Sequence, residues 1–286
     1  MSTLEGKVAL ISGAARGQGR SHALRLASEG AEIVALDICS DTDTIDYPNS
    51  SKEDLEETAR LVEGLGRQCL ARQVDVRDWA AVQSATRECV ERFGRIDIVL
   101  PTAGIVRLAN DQAAQNIQLW YDIVDTNLTG AMHVVRASIP ALIEGGRGGA
   151  IVFTGSTAGV RPIAPPAASA DNIGWGGLAY TASKFGLNGI CKQLAGALAA
   201  HSIRVNVVHP TGVLSGMTMN DAMLRIAEEA MAGGDSDNAM AAMQNAMPVQ
   251  ILEAGDISDA ISFLVSDQAK WITGVSLPVD AGFCIK

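Results

Sequence analysis

The 286-residue sequence predicts a doubly wound α/β fold, a parallel sheet with helices on both faces. Three observations carry that expectation. Short apolar runs alternate with amphipathic helical segments along the whole chain. The runs are apolar almost throughout, as strands buried on both faces must be. A glycine-rich turn separates the first run from the first helical segment. With 48% apolar and 19% charged residues, the chain can bury a sizeable core. No linker or repeat divides it, so a single domain over 1–286 is expected.

The strands are expected at 7–12, 32–37, 68–74, 97–101, 149–154, 203–208 and 275–279, each a short run rich in Val, Ile, Leu or Ala. Between them, apolar residues recur at helical spacing over 17–29, 52–65, 78–93, 116–143, 178–200 and 256–266. Three stretches break the rhythm. Segment 39–51 is acidic and turn-rich, an extra loop after the second strand. Segment 160–177 is rich in Pro, Ala and Gly, and 213–250 holds seven of the nine methionines. Loops at the carboxyl ends of parallel strands are where such folds bind ligands.

Composition excludes several functions. A net charge of −10 argues against nucleic acid and anionic membrane surfaces. The five cysteines are scattered without a Cys-x-x-Cys pair and read as reduced thiols of a cytoplasmic protein. The four histidines lack ligand spacing, so no metal is expected. No apolar stretch approaches 18 residues and no signal segment opens the chain.

Gly13, Arg16, Gly17, Gln18 and Gly19 lie between the first strand and the first helix. Glycines there allow a tight turn and let backbone N–H groups approach a pyrophosphate at the helix N-terminus. A glycine pattern alone is weak; its position after a strand strengthens it. Asp37, followed by Ile38, ends the second strand 18 residues beyond Gly19. A carboxylate there can accept from adenosine ribose hydroxyls and repel a 2′-phosphate, favouring NAD over NADP. Arg16 argues the other way, since a guanidinium could hold that phosphate. Asp75, with Val76 after the third strand, is placed to contact adenine or to be an ordinary strand-end acid.

Tyr180 and Lys184 stand four residues apart on one helix face. A cation about 4 Å from the phenol, at an effective dielectric of about 20, contributes roughly 4 kcal/mol, about three pH units. That would make a tyrosine, ordinarily titrating near pH ~10, a usable proton shuttle. Alone, the pair has an ordinary explanation, because helical Tyr and Lys often meet at this spacing.

Gly13/Gly17/Gly19, Asp37, Asp75, Asn127, Ser156, Tyr180/Lys184 and Pro210, in this order, resemble the short-chain dehydrogenase/reductase family over essentially the whole chain. The resemblance implies a single Rossmann-type domain with a seven-stranded parallel sheet, assembled as a homotetramer. It implies Tyr180 as catalytic acid/base, Lys184 as its partner and ribose contact, and Ser156 as the hydroxyl holding the substrate oxygen. Asn127 would anchor a water leading to Lys184. Ala103 and Gly104 would let the backbone approach the cofactor, and Val213 and Ser215, after Pro210, would hold the nicotinamide carboxamide.

The chain departs from the family pattern at Pro101-Thr102, where two asparagines are usual, and in the 24-residue separation of Ser156 from Tyr180. The first departure implies some loss of sheet stability, with Thr102 substituting in part by its hydroxyl. The turn sequence with Asp37-Ile38-Cys39 and Tyr47-Pro48 is further similar to the carveol-dehydrogenase-like subfamily. Members of that group are associated with the carrier mycofactocin and keep NAD bound through turnover. The 39–51 loop would then fold over the adenosine half, unless it is a surface insertion without function. Methionines 217, 219, 223, 231, 240, 243 and 247, with Trp175 and Ile163, form either an apolar substrate wall or helix packing. An alcohol/ketone oxidoreductase for a hydrophobic terpenoid or sterol-like molecule is the resulting expectation. An ordinary dehydrogenase exchanging free NAD, and a non-catalytic NAD-binding sensor, stand beside it.

Overall fold

Residues 4–109, 111–162, 174–225 and 244–286 are described by the computed structural model. Seven apolar runs become strands β1 (Val8–Ser12), β2 (Glu32–Asp37), β3 (Cys69–Gln73), β4 (Ile98–Pro101), β5 (Gly149–Thr154), β6 (Ile203–Pro210) and β7 (Ser276–Val279). They form one parallel sheet in the order β3-β2-β1-β4-β5-β6-β7. The order reverses between β1 and β4, which opens a crevice at their carboxyl ends. The glycine turn after β1 lies in that crevice.

Alternating side chains explain the two-sided burial. Ala9, Ile11, Ile33 and Ala35 enter one core with α1 (Gly17–Ser28), α2 (Lys52–Gly64) and α7 (Ala254–Val265). Val8, Leu10, Val34 and Leu36 enter the other with α3 (Trp79–Phe93), α5 (Ala131–Gly145) and α6 (Trp175–Leu198). Ser51 caps α2 in a reciprocal box with Asp54, so the inserted loop ends where that helix starts. Among the described residues, no helix is long and apolar enough to cross a membrane.

One expectation is corrected. The single helix expected over 116–143 is α4 (Ile117–Val124) and α5, separated by a π-helical turn over Asp125–Gly130. The wider turn brings Gly130 against Val76, where a Cβ would stand 2.5 Å from a Val76 methyl carbon. It also buries Asn127. Pro101 ends its strand early on one side. β4 pairs with β5 at Ile98 and Val99 only, whereas β5 pairs with β6 at six positions. A central strand ending in proline lacks the N–H that would extend its ladder.

His22 on α1 is fully buried, with Nδ1 2.8 Å from Ser258 Oγ on α7. Ser258 donates to Ala254 O, so Nδ1–H donates to Ser258 and Nε2 is left without a partner. A second proton would put an uncompensated charge in the core, and burial lowers the His22 pKa to about 3. Between about 3 and 6.5 the unfolded chain therefore holds a proton that the folded one does not. The stability His22 contributes is complete above the unfolded value and is lost as pH falls toward the folded one. His22→Leu is expected to flatten the pH 4–6 limb of urea-unfolding stability by about 1 kcal/mol per pH unit. An unchanged slope would remove His22 from the acid response.

Candidate active site

The cleft at the β1/β4 reversal is lined by Gly13, Arg16, Gly17, Gln18, Gly19, Asp37, Ile38, Asp75, Val76, Ala103, Gly104 and Ser215, all expected from sequence. Gly13 has φ +69°, and a Cβ on it would meet Ala103 Cα at 2.7 Å. A Cβ on Gly19 would lie 2.0 Å from Gly13 O. The turn therefore closes tightly on itself and on the loop after β4, leaving the α1 N-terminus open to an anion. Ser12 Oγ fixes that loop by accepting from Thr102 N–H (3.2 Å) and Ala103 N–H (3.3 Å). Thr102 takes the place of the missing amides in part: its hydroxyl bonds Thr154 at 3.1 Å.

Asp37 is 5% exposed, with Oδ2 accepting from Ala15 N–H (2.9 Å) and Oδ1 from the Ser50 hydroxyl (2.5 Å) and Cys39 N–H (3.3 Å). Asp75 lines the cleft, but Arg77 grips both of its oxygens at 2.7–3.0 Å and holds its carboxyl below the usual range. Burial opposes that shift. Arg77 in turn reaches Asp122 at 3.3 Å, a pairing across 45 positions that no local pattern marks. Pro210 and Val213 are buried, Val213 at 2% exposure. Val213 forms an isolated parallel bridge with Leu252.

Ser156, Tyr180, Lys184 and Asn127 gather at the cleft's inner end. Ser156, after β5, caps the next turn by accepting from Ala158 N–H at 3.1 Å, which leaves its proton to donate. Asn127 is locked by Ile105, donating to its carbonyl (2.9 Å) and accepting from its N–H (2.8 Å). Gly104 lies beside both Asn127 and Lys184; a Cβ there would be 3.3 Å from Asn127 Oδ1 and 3.7 Å from Lys184 Nζ.

Lys184 faces both the Tyr180 ring and the end of β5. Lys184 Nζ donates to Thr154 O at 2.9 Å and sits 5.5 Å from the Tyr180 ring centroid. Burial lowers the Lys184 ammonium to about 8, because the charged form loses its water. Burial also raises Tyr180, and the opposing downward pull is a hydrogen bond from Ser156.

The 39–51 loop runs further than the adenosine end. It crosses the cleft as a strap. Ser50 and Pro48 hold its near end, Pro48 O accepting from Arg16 Nη2 at 2.7 Å. Arg16 also packs on Gly216, where a Cβ would be 3.0 Å from Nη1. At the far end the Tyr47 hydroxyl accepts from Val106 N–H (3.2 Å), and Thr44 Oγ1 donates to Asp122 on α4 (2.7 Å). Arg107 donates to Thr44 O (3.3 Å) and pairs with Asp46 at 3.7 Å. Ile45 packs on the Ile105/Leu119/Ile123 cluster that Tyr180 also meets. Tyr47, Thr42, Asn49 and Ser50 thus line the cleft; the sequence marked their loop as a whole and, within it, only the Tyr47-Pro48 pair.

Of the two other insertions, 163–173 and 226–243 lie outside the described residues, and with them Ile163, Met231, Met240 and Met243. Met217 lines the cleft, Met223 is half-buried, and Met219 and Met247 are exposed. Trp175 meets Trp120 edge-on at 6.1 Å. Among the described residues, no cluster of three His, Cys, Asp or Glu comes together to hold a metal.

Comparison with known proteins agrees with this geometry. The family profile described as short chain dehydrogenase matches residues 7–223. A (-)-trans-carveol dehydrogenase of Rhodococcus erythropolis is 38% identical, covering 100% of both chains. The crystal structure of a carveol dehydrogenase from Mycobacterium avium in complex with NAD superposes with TM-score 0.90 at 44% identity, covering 100% of both chains. That of a short chain dehydrogenase from Mycobacterium paratuberculosis bound to NAD gives TM-score 0.88 at 36% identity, covering 99% of this chain and 100% of the other. The chain belongs to the short-chain dehydrogenase family and is an oxidoreductase.

Proposed function

We propose that this protein interconverts a hydrophobic secondary alcohol, terpenoid or sterol-like, and its ketone, and that it keeps NAD bound beneath the strap while an external carrier reoxidises it. The strap is the observation that carries the second half: it is tied at Arg16 and Ser50 on one side of the cleft and at Val106, Arg107 and Asp122 on the other. The tight glycine turn, the open helix N-terminus and Asp37 fit a dinucleotide. A relative that acts on carveol, a terpenoid alcohol, supports the substrate class. Mycofactocin, associated with the subfamily the chain resembles, is the proposed carrier.

NAD, when bound, supplies the hydride acceptor. The protein's own part is proton transfer and orientation. Ser156 holds the substrate oxygen by donating to it, and Tyr180 takes the alcohol proton. Lys184 binds the nicotinamide ribose and supports the Tyr180 phenolate, while Asn127 anchors the water by which the proton leaves. Gln18, the glycines and the α1 N-terminus would bind pyrophosphate, and Ser215 would hold the carboxamide, while Arg16 holds the strap. Exposed Ile117 and Tyr121 on α4 and Leu178 and Phe185 on α6 support a homotetramer, in the cytoplasm.

The test uses one preparation of purified protein. Light scattering reads its mass, and heat-released nucleotide is identified by absorbance and mass spectrometry. Turnover of carveol is then measured with free NAD and with dichlorophenolindophenol as an artificial acceptor. One NAD per chain with acceptor-dependent turnover is expected. Free exchange of NAD would leave an ordinary dehydrogenase, and no turnover with a broad alcohol panel would leave a sensor. Loosening the strap at its far end, by Thr44→Val with Tyr47→Phe, removes two hydrogen bonds of roughly 1 kcal/mol each. NAD release, followed by dilution into an NAD-scavenging enzyme, is expected to quicken by about tenfold or more. An unchanged release rate would rule the strap out as the retaining element.

A further inference from the structure

His209, the penultimate residue of β6, is fully buried directly beneath the turn that carries Ser156. Its Nδ1 lies 3.2 Å from Ser156 N and 2.7 Å from Ser156 O, and its Nε2 lies 2.9 Å from Asn188 Oδ1 on α6. Space for the ring comes from two glycines. A Cβ on Gly155 would stand 2.5 Å from Nδ1, and one on Gly159 would stand 3.0 Å from Cε1.

The Asn188 contact favours one tautomer. Asn188 Nδ2 donates to Gly159 O at 2.8 Å, so Oδ1 is the face turned to His209, and it also accepts from the Ser276 hydroxyl on β7 (3.1 Å). An amide oxygen only accepts, so Nε2 must carry the proton. In the neutral ring Nδ1 is then a lone pair that accepts from Ser156 N–H, with Ser156 O, 2.7 Å away, as an opposing contact.

We infer that His209 is the positioning residue of Ser156, holding the serine's peptide from below so that its hydroxyl faces Tyr180 and the substrate oxygen. The inference rests on the catalytic reading of Ser156 given above. A second proton on His209 would reverse the grip. Nδ1–H would donate to Ser156 O, already 2.7 Å away, and Ser156 N–H would lose its acceptor. The charged or titratable group that bears on the ring is Lys184 on α6; the β5 turn offers only Gly155, Ser156 and Gly159, and β7 only Ser276. Burial, helped by Lys184 and opposed by Ser156 O, keeps His209 below its ordinary range. The reversed grip is therefore an acid-side event.

The test compares His209→Leu, which has neither nitrogen, with His209→Asn, whose side-chain oxygen can stand where Nδ1 stood. Carveol turnover with the artificial acceptor is followed from pH 4.5 to 8, with melting temperature and bound nucleotide as controls. His209→Leu is expected to lower kcat at least tenfold, with KM within threefold and nucleotide retained. His209→Asn is expected to recover kcat to within threefold and to lose the acid limb the wild type shows. A His209→Leu protein within twofold of wild type, or a folded His209→Asn protein as slow as His209→Leu, would overturn the assignment. Imidazole ¹⁵N spectra of the wild type decide the matter without turnover. The Nε2–H form at neutral pH is expected, and the Nδ1–H form would overturn the proposal even if no tested alcohol were a substrate.

Discussion

Tyr180→Phe is expected to lower alcohol turnover by about a thousandfold while leaving NAD bound, because a positioned acid/base contributes roughly 10²–10⁴-fold and phenylalanine can neither take nor give a proton. The loss should fall in kcat and not in nucleotide occupancy, since phenylalanine keeps the ring that packs on the Ile105/Leu119/Ile123 cluster. Its partners define the comparison. Ser156 lowers Tyr180 against the upward push of burial, so Ser156→Ala is expected to slow turnover less and to move the kcat pH profile alkaline. Lys184 adds a limit of its own. With its ammonium lowered to about 8, the positive charge that supports a phenolate weakens as pH rises through that value. Single-turnover reduction of bound NAD, with carveol as reductant, measures all three. A Tyr180→Phe protein with normal NAD content and near-wild-type rate would end the assignment.

How much of this was legible in the sequence differs from element to element. β1, β2, β4, β5 and β6 announce themselves, because a strand buried on both faces has to be apolar at nearly every position, as Val8 to Ile11 and Val205 to Val208 largely are. The edge strands β3 and β7, by contrast, are partly exposed. The glycine turn and Asp37 are legible for a related reason: local backbone geometry dictates residue type there. The break at Asp125–Gly130 was not, because a π turn inside a helical stretch hardly disturbs the 3.6-residue pattern on either side. Lys184 shows the limit of spacing. Its position four residues after Tyr180 gave the shared face, but Thr154 O, 30 positions away, decides where the ammonium points. The strap was visible as an insertion and invisible as a crossing. Its ties join Thr44 to Asp122 and Tyr47 to Val106, and no local pattern pairs residues 59 to 78 apart.

Asp37→Asn is expected to remove most of the protein's preference for NAD over NADP. A carboxylate about 4 Å from a 2′-phosphate, at an effective dielectric of about 20, repels each phosphate charge by about 4 kcal/mol, close to a thousandfold in affinity. Asp37 can exert that force because Ala15 N–H, Cys39 N–H and the Ser50 hydroxyl fix it in the cleft wall. Those three bonds occupy most of its roughly four lone-pair directions, so what remains suits one ribose hydroxyl better than a phosphate. Arg16 does not offset the repulsion. Its guanidinium already donates to Pro48 O and lies against Gly216, so recruiting it to a phosphate would loosen the strap. The asparagine should therefore narrow the discrimination without inverting it, leaving NAD favoured by about tenfold or less. It should also lower stability by about 1–3 kcal/mol, because a single amide oxygen cannot accept all three donors and one is left buried without a partner. Fluorescence titration of nucleotide-stripped protein with NADH and NADPH gives the ratio, and urea unfolding gives the stability. A ratio that survives the substitution would mean that NADP is excluded by the shape of the strap around Tyr47 and Asn49, and not by the charge at Asp37.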